Sequence, residues 1–281
     1  MDVKNYDGRT YFTGWAGLDL FFSEHPSQGP PKASVVIVHG YAEHSGRYSA
    51  AVDTLCREGF SVFLYDQRGH GRSEGVRADV LRFVDYVRDL SMFVDYVRER
   101  SDGSNVFLIA HSTGAAASAL YAAGESAKID GLVTTGIYVR DASEYDKWKV
   151  TLGKILVHFI PLVPIQELDP ARVAESPETC AAFRSDPLVY HGAARVRMGM
   201  HFVNMESKLM PAVGGISVPL FVLHGGNDRL ASVEGSRSLH KMSGSHDKRL
   251  EVLEGTGHAV LHDYGWSDTL RKVLEWLNAR A

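Results

Sequence analysis

The sequence predicts an α/β protein built on a mostly parallel sheet, and three observations carry that expectation. Short apolar, β-rich runs recur at residues 34–39, 61–66, 105–110, 131–136, 219–224 and 249–254, separated by stretches long enough for helices. Continuous apolar runs of this length read as strands buried on both faces by covering helices. Residues 10–22 alternate more loosely around turn glycines, the pattern of an antiparallel hairpin at the sheet edge. Between residues 138 and 212 the strand–helix alternation stops, and Pro161, Pro164, Pro170, Pro177, Pro187 and Pro211 punctuate the stretch. An insertion over the sheet accounts for it. The expected division is a core of residues 1–137 and 213–281 with a cap of residues 138–212.

The whole chain is consistent with this. At 281 residues, 44% hydrophobic and 23% charged, it has the composition of an ordinary globular protein with one large core. Net charge is −4 with Lys and Arg scattered, so there is no basic face for nucleic acid. Cys56 and Cys180 lie far apart in sequence and are expected to be free thiols in a reducing compartment. Residues 1–7 lack a cationic start followed by an apolar run, and no apolar stretch reaches the roughly 20 residues of a spanning helix. A soluble, cytoplasmic protein is expected. Nothing in the composition speaks to oligomeric state.

Two segments need separate comment. Residues 148–165 are broadly apolar and read as a cap helix, which lines an apolar access route, touches a membrane surface transiently or simply packs on the domain. Residues 83–88 and 93–98 are near-duplicates, and their ten-residue offset is close to three helical turns, so both copies should present one face of a single helix.

Residues that carry chemistry cluster at the ends of the expected strands. The run ending at Ala110 is followed by His111-Ser112-Thr113-Gly114 and then by a helix of small residues, which puts Ser112 on a sharp strand-to-helix elbow with its hydroxyl exposed. Ala110 stands where the first glycine of G-x-S-x-G belongs. A literal G-x-S-x-G occurs at residues 71–75, but several turn residues separate its Ser73 from the preceding strand and no small-residue helix follows. The same glycines miss G-x-G-x-x-G, because Glu74 occupies the third glycine's place, so no dinucleotide site is expected. A serine hydroxyl needs a positioned base, and the base needs a partner on its other ring nitrogen. His258, in a glycine-rich turn after the last strand, and Asp228, after the strand at 219–224, complete the order Ser, acid, His. Asp141 and Glu144 are the rival acids, and a turn-capping role is the alternative for Asp228. The amides of Tyr41 and Thr113 are the candidate oxyanion donors. His258 and His262 stand four apart but lack the glutamate of H-E-x-x-H, so no metal is expected; His262 is open to a substrate-binding or a structural role.

These segments together resemble the monoacylglycerol lipase and lysophospholipase branch of the α/β-hydrolases. The likeness runs through residues 39–48, 66–75, the elbow, 185–188, 224–228 and His258. The family usually has glycine where Ala42 stands, and a Gly-x-Ser-Met-Gly-Gly elbow where this chain has Ala110, Thr113 and Ala115. The resemblance implies an α/β-hydrolase fold with an inserted cap. It also implies ester hydrolysis by Ser112, His258 and Asp228 without a cofactor, with Tyr41 in the oxyanion hole and Glu43 and Arg47 near the polar head of a small-molecule or lipid ester. Hydrolysis of a lactone, carbamate or small xenobiotic ester on the same triad stays open, as does a non-catalytic receptor for a hydrophobic ligand.

Overall fold

The computed structural model describes residues 1–125, 128–140 and 145–281. The rival acids Asp141 and Glu144 lie outside the described residues. The chain begins with β1 (Val3–Tyr6), β2 (Arg9–Thr13) and β3 (Asp19–His25), continues through β4 (Ala33–Val38), α1 (Ser49–Arg57), β5 (Phe60–Tyr65) and α2 (Val84–Arg100), and reaches β6 (Val106–His111), α3 (Ser112–Glu125) and β7 (Gly131–Thr135). It then leaves the sheet for α4 (Lys147–Phe159), β8 (Pro164–Gln166), α5 (Pro177–Ser185), β9 (Ala194–Arg195), α6 (Val196–Val203) and α7 (Met205–Leu209). It returns as β10 (Leu220–Gly225), α8 (Val233–Met242), β11 (Lys248–Leu253) and α9 (Trp266–Asn278).

The main sheet runs β1-β2-β3-β5-β4-β6-β7-β10-β11, parallel from β5 to β11 and antiparallel at the β1–β3 edge. All six apolar runs are strands, each within one residue of the expected bounds. The expected hairpin is β2 with β3, paired Thr10 to Phe22. β1 went unforeseen because all four of its residues are exposed, so it carries no alternation to read.

Successive residues of the central strands serve opposite faces. Val36, Val38, Leu108 and Ala110 pack with α2 and α3, while Val35, Ile37, Phe107 and Ile109 pack with α1 and α9. The near-duplicate lies where its spacing put it: Phe83 and Tyr86, then Phe93 and Tyr96, are all buried against the sheet through α2 and its N-terminal cap.

The apolar segment 148–165 departs from expectation. It is not one helix: α4 ends at Phe159, and Pro161 and Pro164 carry the chain into the short strand β8. Nor does it pack as a core helix, since α4 has no buried residue and Phe159 is 79% exposed.

One buried ion pair ties the antiparallel edge to the helical layer. Arg68 donates to Asp89 at 2.5 and 2.7 Å, and Asp89 also accepts the Trp15 N–H at 2.8 Å. Asp89→Ala leaves Arg68 buried without its counter-ion and is expected to lower stability by about 3–5 kcal/mol, read as a lower urea midpoint at unchanged slope.

Candidate active site

Four adjacent parallel strands, β6, β7, β10 and β11, end along one edge of the sheet, and their loops carry the site. Ser112 follows β6 directly with φ at +52°, the left-handed region that a serine rarely occupies. Packing holds this strained elbow in place. A Cβ on Gly114 would stand 2.2 Å from the His39 carbonyl oxygen, so only glycine lets α3 approach β4 this closely. A Cβ on Gly40 would stand 3.0 Å from the Ser112 Cβ, so the turn after β4 lies against the serine. Ala110, in place of the usual first glycine, is fully buried within the sheet and leaves the elbow intact.

Asp228 and His258 arrive from the loops after β10 and β11. These strands pair from Leu220–Lys248 to Gly225–Leu253, which sets their following loops side by side. The Gly226 N–H donates to Leu253 O at 2.7 Å and the Asn227 N–H to Thr256 O at 2.9 Å, joining the two loops. His258 Nδ1 lies 2.6 Å from Asp228 Oδ2, and His258 Nε2 lies 2.8 Å from Ser112 Oγ. A carboxylate can only accept, so Nδ1 carries the proton and Nε2 is left to accept from the serine hydroxyl. Asp228 Oδ1 takes the N–H groups of Leu230 and Ala231 at 2.7 and 2.9 Å. His224 Nε2 sits 3.1 Å from Asp228 Oδ2, and Ser236 Oγ holds the other His224 nitrogen at 2.7 Å.

Burial alone would push the Asp228 carboxyl up, but the charge of His258 and the hydrogen bonds of His224 and His258 outweigh it and hold the group well below the carboxylate range. Glu43 behaves alike. Burial opposes its ionisation, the neighbouring His111 and the Arg47 guanidinium favour it, and the net is a carboxyl well below its ordinary value. Glu43 accepts the Gly40 N–H at 2.6 Å and the Tyr48 hydroxyl at 2.8 Å, so its carboxylate fixes the turn that presents the Tyr41 amide. Thr113 is the second residue of α3, in the first turn, whose N–H groups lack intrahelical acceptors.

With this geometry in view, comparison with known proteins is decisive. Residues 29–265 match the family described as serine aminopeptidase, S33. The chain belongs to that family. This S33 hydrolase is 33% identical to the monoglyceride lipase of Rattus norvegicus over 88% of the chain and 81% of that protein. It is 29% identical to the monoacylglycerol lipase of Mycolicibacterium smegmatis over 95% of each. The crystal structure of Paleococcus ferrophilus monoacylglycerol lipase superposes with a TM-score of 0.83 at 27% identity, covering 93% of this chain and 99% of that one. The α/β-hydrolase fold is thereby established.

A cavity of about 730 Å³ opens above the serine of this S33 hydrolase, with Ser112, His258, Tyr41, Thr113 and Glu43 on its floor. Most of its wall is apolar and much of it comes from α4 and α6, among them Leu152, Leu156, Val196, Met200 and Phe202, with Arg140, Lys149, Glu167 and Arg172 also on the lining. Arg47 and His262, read from sequence as candidates for substrate contact, do not line it. Arg47 is turned onto Glu43 and the Phe183 ring, and His262 packs edge-on against Tyr48 at 4.7 Å. The rival Ser73 is spent elsewhere: its hydroxyl donates to Asp66 O and accepts the Phe21 N–H. Cys56 and Cys180 are free. Sequence reasoning missed His224, whose position in the quoted His224–Asp228 run was its one signal. It also missed the α6 wall, whose residues no motif marks.

His111, between Ala110 and the elbow, is pushed down to about 3 by burial and by His258, and His262 to about 4 by burial. Both lie below the ordinary 6.5, so the unfolded chain takes up protons that the native state refuses. The stability they contribute is complete above about pH 6.5 and is lost as pH falls from there toward 4 and 3. His111→Asn is expected to flatten this acid-side decline in thermal unfolding followed by circular dichroism, even as it lowers the melting temperature at neutral pH.

Proposed function

We propose that the chain hydrolyses carboxylic esters, preferentially monoacylglycerols, with Ser112 as nucleophile, His258 as general base and Asp228 as its orienting partner. The observation that carries the reading is the unbroken Asp228–His258–Ser112 relay on the floor of a large apolar cavity. Ser112 Oγ attacks the acyl carbon as its proton passes to His258 Nε2, and the Tyr41 and Thr113 N–H groups face the developing oxyanion. Collapse expels the alcohol, which takes the proton from His258. Water then gives its proton to the same nitrogen, attacks the acyl-serine and releases the acid, restoring Ser112. Glu43 supports the oxyanion turn from behind. The apolar side chains of the wall suit an acyl chain, and similarity to the monoglyceride and monoacylglycerol lipases of Rattus norvegicus, Mycolicibacterium smegmatis and Paleococcus ferrophilus supports glycerol as the leaving alcohol.

Residues 138–212 form the cap in this reading and give it a lipid-facing side. Ile155, Phe159 and Leu162 are exposed and lie outside the cavity lining, in a segment that also carries the exposed Lys147 and Lys154. Apolar side chains flanked by lysines suit transient contact with an anionic lipid surface. Among the described residues no helix is long and apolar enough to cross a membrane.

The deciding assay is acid release from monoacylglycerols beside p-nitrophenyl esters of increasing chain length. Turnover is expected to be strongest on monoacylglycerol and absent in Ser112→Ala, with Asp228→Asn lower in kcat by roughly 10,000-fold. Activity confined to short or cyclic esters would overturn the lipid assignment, and a Ser112→Ala enzyme that still turns over would overturn the nucleophile. Ile155 and Phe159 lie outside the cavity wall. The pair Ile155→Ser and Phe159→Ser is therefore expected to weaken co-sedimentation with anionic vesicles while turnover of a water-soluble ester is unchanged.

A further inference from the structure

We propose that Asp263 is a positioning residue that locks the His258 loop and cap residues 173–179 into one rigid frame, an inference that rests on the role of His258 proposed above. Asp263 is 1% exposed. Its Oδ2 accepts the N–H groups of Gly257 at 2.6 Å and Glu175 at 2.8 Å, and its Oδ1 accepts those of Ser176 and Tyr264, each at 2.8 Å. One carboxylate thus grips the residue just before His258 and two consecutive cap residues at the start of α5. Charge-assisted bonds of this kind are about twice as strong as neutral ones.

The surroundings are built for that grip. Gly257 has no room for a side chain, because a Cβ there would meet Asp263 Oδ2 at 2.9 Å and Ala174 Cα at 3.1 Å. Two further bonds cross the same seam: the Ala259 N–H donates to Val173 O at 2.8 Å and the Thr179 hydroxyl donates to His262 O. The His258 loop, with Gly255 at φ +71° and Gly257 next to the histidine, is otherwise tied, among the described residues, only on its other side, to the Asp228 loop and Ser112. The cap therefore has two parts. Residues 173–179 are bonded to the His258 loop, whereas α4 buries none of its residues.

Asp263→Asn keeps the shape but turns an amide NH2 toward backbone N–H groups. Gly257→Ala presses on the same seam from the other side. Each is expected to lower kcat on the order of 100-fold, the effect of a small misplacement of a catalytic group, with KM little changed. Each is also expected to broaden or erase the far-downfield proton resonance of His258 Nδ1–H, which is read without substrate. Folded variants with wild-type kcat and a sharp resonance would overturn the proposal, as would a loss of rate that merely follows the unfolded fraction seen by circular dichroism. A wild type that shows the resonance but turns over no ester would instead defeat the proposed function, and the resonance would still test the clamp.

Discussion

The level ending of β6, β7, β10 and β11 along one edge of the sheet is the constraint on which the site depends. Ser112 leaves β6, Asp228 follows β10, and His258 follows β11, so the three groups start from strands spread across roughly 15 Å of sheet at about 4.8 Å per strand. Loops a few residues long close that gap only because the strands are parallel and in register. A shift of one residue in the β10–β11 pairing would turn alternate side chains to the wrong face and separate the loops that now share two backbone hydrogen bonds.

The strained conformation of Ser112 is a consequence of the same arrangement. Its left-handed backbone is unfavourable by itself and persists because the close approach of α3 to β4 at Gly114, and of the turn at Gly40, leaves it no alternative. Three buried carboxylates reinforce the frame in a common manner. Asp228 holds His258 and caps its own loop, Glu43 holds the turn bearing Tyr41, and Asp263 holds the approach to His258. Each accepts backbone N–H groups, so all three tie a loop to a buried carboxylate.

Much of this was legible beforehand. The parallel strands showed as continuous apolar runs because burial on both faces demands them. The elbow and the loops of Asp228 and His258 showed because turn glycines and small helix residues mark tight junctions. What misled were segments in which local pattern and tertiary setting disagree: β1, exposed throughout, has no periodic signal, and residues 148–165 look like a helix by apolarity although Pro161 and Pro164 end it. Glu43, Arg47 and His262 were equally ambiguous. The structure puts Glu43 on the cavity floor and turns Arg47 and His262 behind it, a distinction set by which neighbours pack around them.

By itself, the sequence determined the fold class, the loops in which Ser112, Asp228 and His258 follow their strands and the elbow at Ser112, since hydrophobic periodicity and turn chemistry are local properties. Tertiary structure alone decided the distances of 2.6 and 2.8 Å that make a relay of Asp228, His258 and Ser112. It also decided the recruitment of His224 and Asp263, the α4–α6 walls of the cavity and the exposure of the apolar face of α4. Apart from His224, whose partners Asp228 and Ser236 are near in the chain, these depend on contacts between residues far apart, and no local pattern encodes which side chains a folded sheet will bring together.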